Sequence, residues 1–184
     1  MRLHNSFTCG ELAHYTTALV DHGLMSLAVA NSPALVAPDG TSTAVLGTNP
    51  MSFAAPAEPS PLVIDQGISA AAYVTVRRHA EEGREIPSAW AVDQEGRPTT
   101  DAADALTGSL HPAGGQKMTN IGLMVEALAA FAGARWSTDA SGFDAGRDSP
   151  SVGMFLLAVH PESTAGVTRS DWVHNYTVSR RITG

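Results

Sequence analysis

The sequence of 184 residues contains a single cysteine and fewer basic than acidic side chains. Because Cys9 is the only thiol, a disulfide within the chain and a metal site built from thiolates alone are both excluded. Eleven Lys and Arg residues stand against 18 Asp and Glu, which gives a net charge of −7. This balance argues against nucleic acid or an anionic membrane surface as a partner, since both require clustered positive charge. A local cationic site for a phosphate is still compatible with it.

Long apolar runs are also absent. No stretch approaches the roughly 18 apolar residues of a membrane-spanning helix, and the first four residues do not resemble a secretory leader. We therefore expect a cytoplasmic protein without a membrane partner. With 43% apolar and 16% charged residues, the chain has the composition and length of one globular domain, and we predict a single domain over residues 1–184.

The spacing of apolar residues predicts three helices, over residues 10–22, from about 68 to 83, and over 118–132. Short strands are predicted over residues 24–30, 34–37, 51–55, 62–64 and 152–159. Residues 84–115 and 137–151 read as irregular, and a short helix is expected near Asp171. Strands interleaved with helices predict an α/β or α+β fold, a single layered domain with a mixed sheet flanked by helices.

Two segments are candidates for ligand binding. In the turn Gly47-Thr48-Asn49-Pro50 a glycine allows close approach of backbone N–H groups, and the hydroxyl and amide can bond a phosphate, a ribose or a carboxylate. The alternative is a turn whose side chains bond to their own backbone. In the second segment, Asp65 ends a predicted strand and Ser69 lies in the next helical turn. Free N–H groups at the start of a helix suit anions. An acidic Asp65 would repel a phosphate, so it fits a ribose hydroxyl or a helix N-cap better.

These segments follow Ala37-Pro38-Asp39-Gly40 and precede Ile86-Pro87-Ser88-Ala89-Trp90-Ala91-Val92-Asp93. In this order they resemble the NAD(P)-dependent malate/L-lactate dehydrogenase family, which includes the Δ1-piperideine-2-carboxylate reductases and is unrelated to the Rossmann lactate dehydrogenases. The resemblance covers about residues 5–159. It implies a non-Rossmann dehydrogenase fold, NADPH or NADH as cofactor, a small-molecule substrate and a homodimer.

Three family motifs can be followed residue by residue. In Asp-x-Ala-x-Ser, which lies near the nicotinamide in the family, Asp65 and Ser69 match. In Gly-Gly-x-Lys-Gly, which lines the cofactor site, Lys117 matches the lysine. In Ser-x-His-x-Gly, Ser6 and Gly10 match but Thr8 replaces the histidine, and a threonine hydroxyl cannot titrate as an imidazole does.

The resemblance therefore implies ten cofactor contacts: Ser6, Thr8, Gly10, Gly47, Thr48, Asn49, Pro50, Asp65, Ser69 and Lys117. It places the pyrophosphate against helix starts at residues 6–10 and 114–117, and the nicotinamide near Thr48 and Ser69. Asn49 would orient the substrate, and Thr48, Asn49 and Asp65 are the catalytic candidates. No metal site is predicted, because the seven histidines show no metal-ligand spacing.

Members of the family are about twice as long, and their terminal segments build a substrate-side domain that carries a His-Gly general acid. We expect this chain to correspond to the central cofactor-binding region. Three hypotheses follow: a trimmed reductase for a cyclic imine or 2-oxo acid, a fold repurposed as a cofactor-free cyclase or isomerase, or a non-catalytic subunit that completes a longer partner chain.

We predict that the protein self-associates, because family members are commonly dimers and the surfaces that a further domain would cover are exposed here. Small-angle scattering with light scattering should give the mass of two chains. A monomer mass across the micromolar range contradicts the prediction.

Overall fold

A computed structural model describes residues 1–163, 168 and 170–174. Seven strands occur in this part of the chain: β1 (Arg2–Ser6), β2 (Met25–Ala30), β3 (Met51–Ala55), β4 (Leu62–Gln66), β5 (Ala91–Val92), β6 (Ser109–Leu110) and β7 (Val152–Val159). Five of them form one sheet in the order β1-β7-β2-β3-β4, and β5 pairs with β6. Four helices accompany them: α1 (Ala13–Val20), α2 (Tyr73–Glu81), α3 (Ala102–Thr107) and α4 (Gln116–Phe131).

Every pairing between neighbouring strands of the large sheet is antiparallel, so the predicted mixed sheet is wrong and the fold is α+β. The reason lies in one insertion. Strands β1 and β2 run parallel and are joined through α1, as in a βαβ unit, but β7 lies between them and pairs antiparallel with both. The strand at residues 152–159 thus separates two parallel strands and forms an antiparallel pair with each of them.

Helix α1 packs on β2 and β3. Side chains alternate between the two faces of a strand, so Ala28 and Ala30 share a face, and they cluster with Leu12 and Met154 under this helix. Two hydrogen bonds fasten the helix to the sheet: Ser26 Oγ donates to the Thr16 carbonyl at 3.1 Å, and the hydroxyls of Thr16 and Ser52 lie 2.7 Å apart. Helix α4 contacts the central strands β2 and β7.

A second core lies beside the sheet, where α2, α3 and the small β5–β6 pair meet. Its buried members include Val36, Ile68, Val76, Ile86 and Leu110. The strand predicted at residues 34–37 is reduced to isolated bridges from Val36 to Leu46 and Leu110. Although residues 84–115 were predicted to be irregular, they contain β5, α3 and β6, so that part of the prediction is wrong.

Two acidic residues of the segment 93–101 accept backbone hydrogen bonds next to β5 and at the start of α3. Asp93 Oδ1 accepts the backbone N–H groups of Glu95 and Arg97 at 3.0 and 2.9 Å. These bonds, above all the one from the Arg97 backbone, lower the pKa of the Asp93 carboxyl. Asp101 is the N-cap of α3, with Oδ1 accepting from the N–H of Ala103 at 2.7 Å and of Asp104 at 3.2 Å.

Helices α1 and α2 begin about three and five residues later than predicted, so Ser69 precedes α2 instead of lying in its first turn, whereas other boundaries follow the predictions. Strands β3 and β7 occupy the predicted ranges, α4 begins two residues earlier than predicted, and a helical turn at residues 170–174 confirms the expectation near Asp171. Trp172 Nε1 of that turn donates to the Pro56 carbonyl at 2.8 Å. Strand β1 was not predicted. In the described part of the chain, no helix is long and apolar enough to cross a membrane.

Replacement of Asp101 by alanine should lower the free energy of unfolding by about 1 kcal/mol, because two N–H groups of α3 lose their acceptor. Asp101→Asn retains an acceptor oxygen and should keep most of the stability. Urea denaturation measures both, with the exposed Asp148→Ala as the charge-matched control. Equal stability of D101A and D148A contradicts the capping role.

Candidate functional site

A cavity of about 550 Å³ opens where the Gly47–Pro50 turn, the end of β4 and the start of α2 meet. Four of the ten predicted cofactor contacts line it: Thr8, Thr48, Pro50 and Ser69. The remaining lining residues are Phe7, Leu35, Gly67, Ala72, Tyr73, Val74, Arg77, Phe143 and Asp144. Three segments distant in sequence therefore bring hydroxyl groups to one cavity.

The three aliphatic hydroxyls, of Thr8, Thr48 and Ser69, differ in what they offer a ligand, and Tyr73 adds a phenol to the lining. Ser69 Oγ donates its hydrogen to the Ala71 carbonyl at 2.7 Å, so it is left as an acceptor. Thr8 Oγ1 accepts the Gly10 N–H at 3.3 Å and keeps its hydrogen for another acceptor. Thr48 is held through its backbone, because its N–H donates to Ser32 Oγ at 3.0 Å and its carbonyl accepts the Ile68 N–H at 2.8 Å. Its Oγ1 also lies 3.4 Å from Ser32 Oγ. The cavity can thus bond to donors and acceptors of one ligand.

Apolar groups form much of the remaining wall. Phe7 and Phe143 approach with ring centroids 6.1 Å apart, and Leu35, Pro50 and Val74 add aliphatic surface. Gly67 allows the Thr48 carbonyl to pack closely against it, since a Cβ there would lie 3.0 Å from the carbonyl oxygen. A flat, partly aromatic group with polar substituents suits such a lining.

Among the described residues, two charged side chains line the cavity, Arg77 and Asp144. Arg77 Nη1 lies 3.9 Å from Asp144 Oδ1, and its Nε lies 3.4 Å from Glu81 one turn further along α2. Sequence reasoning missed Arg77. Its position eight residues after Ser69, on the helix that leaves the site, was the available signal.

Asn49 does not line the cavity. Its side chain is buried, and Nδ2 donates to the Gly122 carbonyl at 3.0 Å and to Glu126 Oε2 at 2.8 Å. The predicted role of Asn49 in orienting a substrate is therefore replaced by a structural one. The cause is Glu126, which lies next to it. A buried carboxylate must be hydrogen-bonded, and the Asn49 amide supplies one of its donors.

Glu126 is the centre of this network. Besides Asn49, it accepts the Ser137 hydroxyl at 2.7 Å and the Ser137 N–H, while Ser137 Oγ accepts the N–H of Gly47 at 3.0 Å. Gly47 cannot be enlarged, because a Cβ would lie 2.5 Å from both Asn49 Oδ1 and Ser32 Oγ. The glycine thus serves the packing of the turn rather than a close approach of ligand. Glu126 is buried in α4 but does not lie among the apolar positions predicted to face inward, so the spacing of apolar residues did not indicate this network.

The remaining predicted contacts lie outside the cavity lining. Asp65 Oδ2 accepts the Ala13 N–H at 2.8 Å, so it caps α1 rather than the helix that follows it. Lys117 is exposed in the first turn of α4; the neighbouring Gly115 lines a separate cavity of about 520 Å³ that does not include the lysine.

The helix start predicted at residues 6–10 is absent. Strand β1 ends at Ser6 and α1 begins at Ala13. Between them Ser6 Oγ donates to the Thr8 carbonyl at 3.1 Å, and Gly10 has a φ of +68°. Because no helix begins there, the pyrophosphate position predicted against this segment loses its basis.

Cys9 stands in the same segment. Burial raises the pKa of its thiol, which disfavours the nucleophilic thiolate at neutral pH. In the described part of the chain, no group of three or more His, Cys, Asp or Glu residues could hold a metal ion.

Comparison with known proteins identifies the family. Residues 1–176 match the malate/L-lactate dehydrogenase family, and the chain belongs to it. This confirms the family predicted from the motifs. A solved dehydrogenase from Sinorhizobium meliloti has a TM-score of 0.84 at 35% identity, covering 90% of this chain and 49% of that one. The Δ1-piperideine-2-carboxylate reductase from Pseudomonas syringae pvar. tomato has a TM-score of 0.79 at 30% identity, covering 92% and 53%.

Sequence relatives are named oxidoreductases. The (2R)-3-sulfolactate dehydrogenase (NADP(+)) of Chromohalobacter salexigens is 42% identical over 146 residues, which is 78% of this chain and 44% of that protein. The Δ(1)-pyrroline-2-carboxylate/Δ(1)-piperideine-2-carboxylate reductase of Pseudomonas putida is 37% identical over 171 residues, 90% of this chain and 50% of that protein. The chain thus belongs to a family of enzymes and spans about half the length of these relatives.

Asn49→Ala should lower the free energy of unfolding by about 1.5–3 kcal/mol, since it removes one of the hydrogen-bond donors to the buried Glu126 carboxylate and the donor from Asn49 to the Gly122 carbonyl. Asn120→Ala, at an exposed position of α4, the helix that carries Glu126, is the control. Urea unfolding with N49A no less stable than N120A contradicts the assignment of Asn49 to the network.

Proposed function

We propose that this chain provides the nicotinamide-binding cavity of an NAD(P)H-dependent oxidoreductase that reduces a cyclic imine or a 2-oxo acid. The observation that carries the proposal is the convergence of the Thr8, Thr48 and Ser69 hydroxyls on one cavity. The family supports it, since one relative is named for NADP(+) and others for reduction of a cyclic imine carboxylate.

The size and chemistry of the cavity fit part of the cofactor. About 550 Å³ is within the range of small-molecule sites and suits a nicotinamide ring with its ribose beside a small substrate. Its apolar wall matches the ring face, and its hydroxyls match a carboxamide and ribose. We propose that Thr48 and Ser69 bond these polar groups and that Thr8 donates to a further acceptor.

When bound, the reduced nicotinamide supplies a hydride. The protein must then position the substrate carbon, exclude water and deal with the charge on the substrate heteroatom. No histidine is among the residues that line the cavity, and a threonine hydroxyl at position 8 does not titrate near neutral pH.

The absence of an imidazole from the lining favours one substrate class. A protonated cyclic imine carries its proton on nitrogen already. When its carbon accepts the hydride electron pair, the C=N π pair moves to nitrogen and a neutral amine results without further proton transfer. A 2-oxo acid additionally needs a proton on the carbonyl oxygen. We therefore favour the cyclic imine.

A cofactor-free cyclase or isomerase is the second candidate, and Thr8 in place of a histidine favours it. In such an enzyme the mainly apolar cavity would hold a reactive conformer of its substrate. The match to about half of each relative leads us to propose residues 1–184 as the central cofactor-binding region of the family fold.

We propose a second copy of this chain as the partner that covers the exposed apolar residues of β4 and α4. The edge strand β4 presents Val63 and Ile64, which are 39% and 43% exposed, and α4 presents Leu123 and Met124. An edge strand with free backbone groups and apolar side chains is a surface that a partner covers in stable proteins.

Titration with NADPH and NADH tests the proposed function, and we expect micromolar, saturable binding of at least one. Thr48→Val should weaken it roughly three- to tenfold, the value of one hydrogen bond, whereas Thr107→Val at the end of α3 should not change it. Reduction of a cyclic imine carboxylate by the bound cofactor is then followed by loss of nicotinamide absorbance.

Absence of binding by both dinucleotides up to millimolar concentration contradicts the oxidoreductase proposal and leaves the cofactor-free candidate. Equal affinity of wild type and T48V removes the assignment of Thr48.

A further inference from the structure

We propose that Arg77 is the anion-binding residue of the cavity, holding a carboxylate or phosphate oxygen group of the bound ligand in exchange for its contact with Asp144. This inference rests on the proposed function, because it names the charge that a ligand of that cavity carries. The position of the guanidinium, its weak pairing and the composition of the cavity wall support it independently.

The cavity wall singles Arg77 out. Among the described residues that line it, Arg77 carries the positive charge and Asp144 the negative one, and the others are hydroxyl-bearing or apolar. Arg77 lies one helical turn after Tyr73, which also lines the cavity, so both side chains leave α2 on the same side. The guanidinium and the Tyr73 phenol are therefore placed at the cavity from α2, while the hydroxyls of Thr8, Thr48 and Ser69 come from outside this helix.

The contacts of Arg77 leave it available. Its Nη1 lies 3.9 Å from Asp144 Oδ1, near the limit of an ion pair, and the two side chains are 51% and 76% exposed. The contact from its Nε to Glu81 is shorter, at 3.4 Å, but equally open to solvent. Exposed pairs of this kind contribute little. A guanidinium has five donors in a planar fork, so it can keep Glu81 on Nε and present two parallel N–H groups to an incoming carboxylate or phosphate.

The overall charge makes such a residue necessary for an anionic ligand. The chain carries a net charge of −7, which repels anions from most of its surface, so a local cation must offset this repulsion at the site. Lys117, the other cation expected at the cofactor, does not line this cavity.

Asp144 is a suitable exchange partner because its segment is fastened separately. Phe143 packs against Phe7, and Ser149 Oγ donates to the Ser6 carbonyl at 3.4 Å. Asp144 can therefore give up Arg77 while its neighbours stay in contact with the residues after β1. An anion that replaces this carboxylate gains the bidentate geometry that a single 3.9 Å contact lacks.

The test compares Arg77→Gln with Arg78→Gln, its exposed neighbour on the same helix, which does not line the cavity. Both variants lose one positive charge, so long-range electrostatics are matched. Calorimetry measures the binding of pyrrole-2-carboxylate and of its neutral carboxamide, and separately of NADPH and NADH. Urea unfolding checks that both variants fold, which the exposure of both side chains leads us to expect.

We expect R77Q, but not R78Q, to weaken at least one anionic ligand by about tenfold. If the ligand group is the substrate carboxylate, pyrrole-2-carboxylate weakens and the carboxamide does not. If it is a cofactor phosphate, the dinucleotides weaken instead. A falling ratio of NADPH to NADH affinity then identifies the extra phosphate, and an unchanged ratio identifies the pyrophosphate. Asp144→Asn should strengthen the same ligand about twofold to threefold.

Equal effects of R77Q and R78Q on all four ligands overturn the proposal, as does a wild-type protein that binds none of them. Weaker binding of the same anion to D144N overturns the exchange. If the wild type binds pyrrole-2-carboxylate through Arg77 but neither dinucleotide, the anion site stands and the oxidoreductase proposal fails. The two ideas can therefore be separated in one set of titrations.

Discussion

The need of one buried carboxylate for hydrogen-bond donors determines the shape of the site. Glu126 lies in the interior of the protein, and a buried charge without partners is far more costly than any single surface contact. Its donors come from Asn49 and Ser137, and Ser137 in turn accepts from Gly47. Two positions of the turn are thereby directed inward, to either side of Thr48. The threonine between them lines the cavity, and its carbonyl bonds to Ile68. A helix residue that does not line this cavity thus aligns the two segments whose hydroxyls the ligand would meet.

Sequence reasoning reached the elements that carry their own pattern. Strands β3 and β7 and helix α4 combine apolar residues at a clear period, and their positions were predicted to within two residues. Strand β1 has four exposed residues and a fifth half-buried, so no alternation marks it, and it exists because β7 pairs with it. Helix α3 has six residues, too few for a period to appear. In the candidate site, the family motifs located the turn at residues 47–50, which lines the cavity. They could not show that Thr48 faces the cavity while Asn49 faces the interior, because this difference depends on Glu126, far away in sequence.

The cavity lacks the histidine of the family motif. Thr8 stands in its place, and the polar groups of the lining are the hydroxyls of Thr8, Thr48, Ser69 and Tyr73 beside the charged Arg77 and Asp144. Such a lining suits a substrate that arrives with its charge and proton in place. Arg77 adds the complementary element, a fixed cation for an acidic substituent. A ligand that is cationic at one end and anionic at the other would satisfy both features, and a protonated imine that bears a carboxylate has this character.

The position of β7 also has a consequence for how the chain reaches its fold. Strands β2, β3 and β4 are neighbours along the sequence and can form a meander from local contacts alone, whereas β7 must enter between β1 and β2 from more than a hundred residues away. Closure of such long loops is slow, and it delays the pairing of the central strand on one side. During synthesis β2 therefore presents an open edge until residues 152–159 leave the ribosome. In that interval the nascent chain is most exposed to mispairing and most dependent on chaperones.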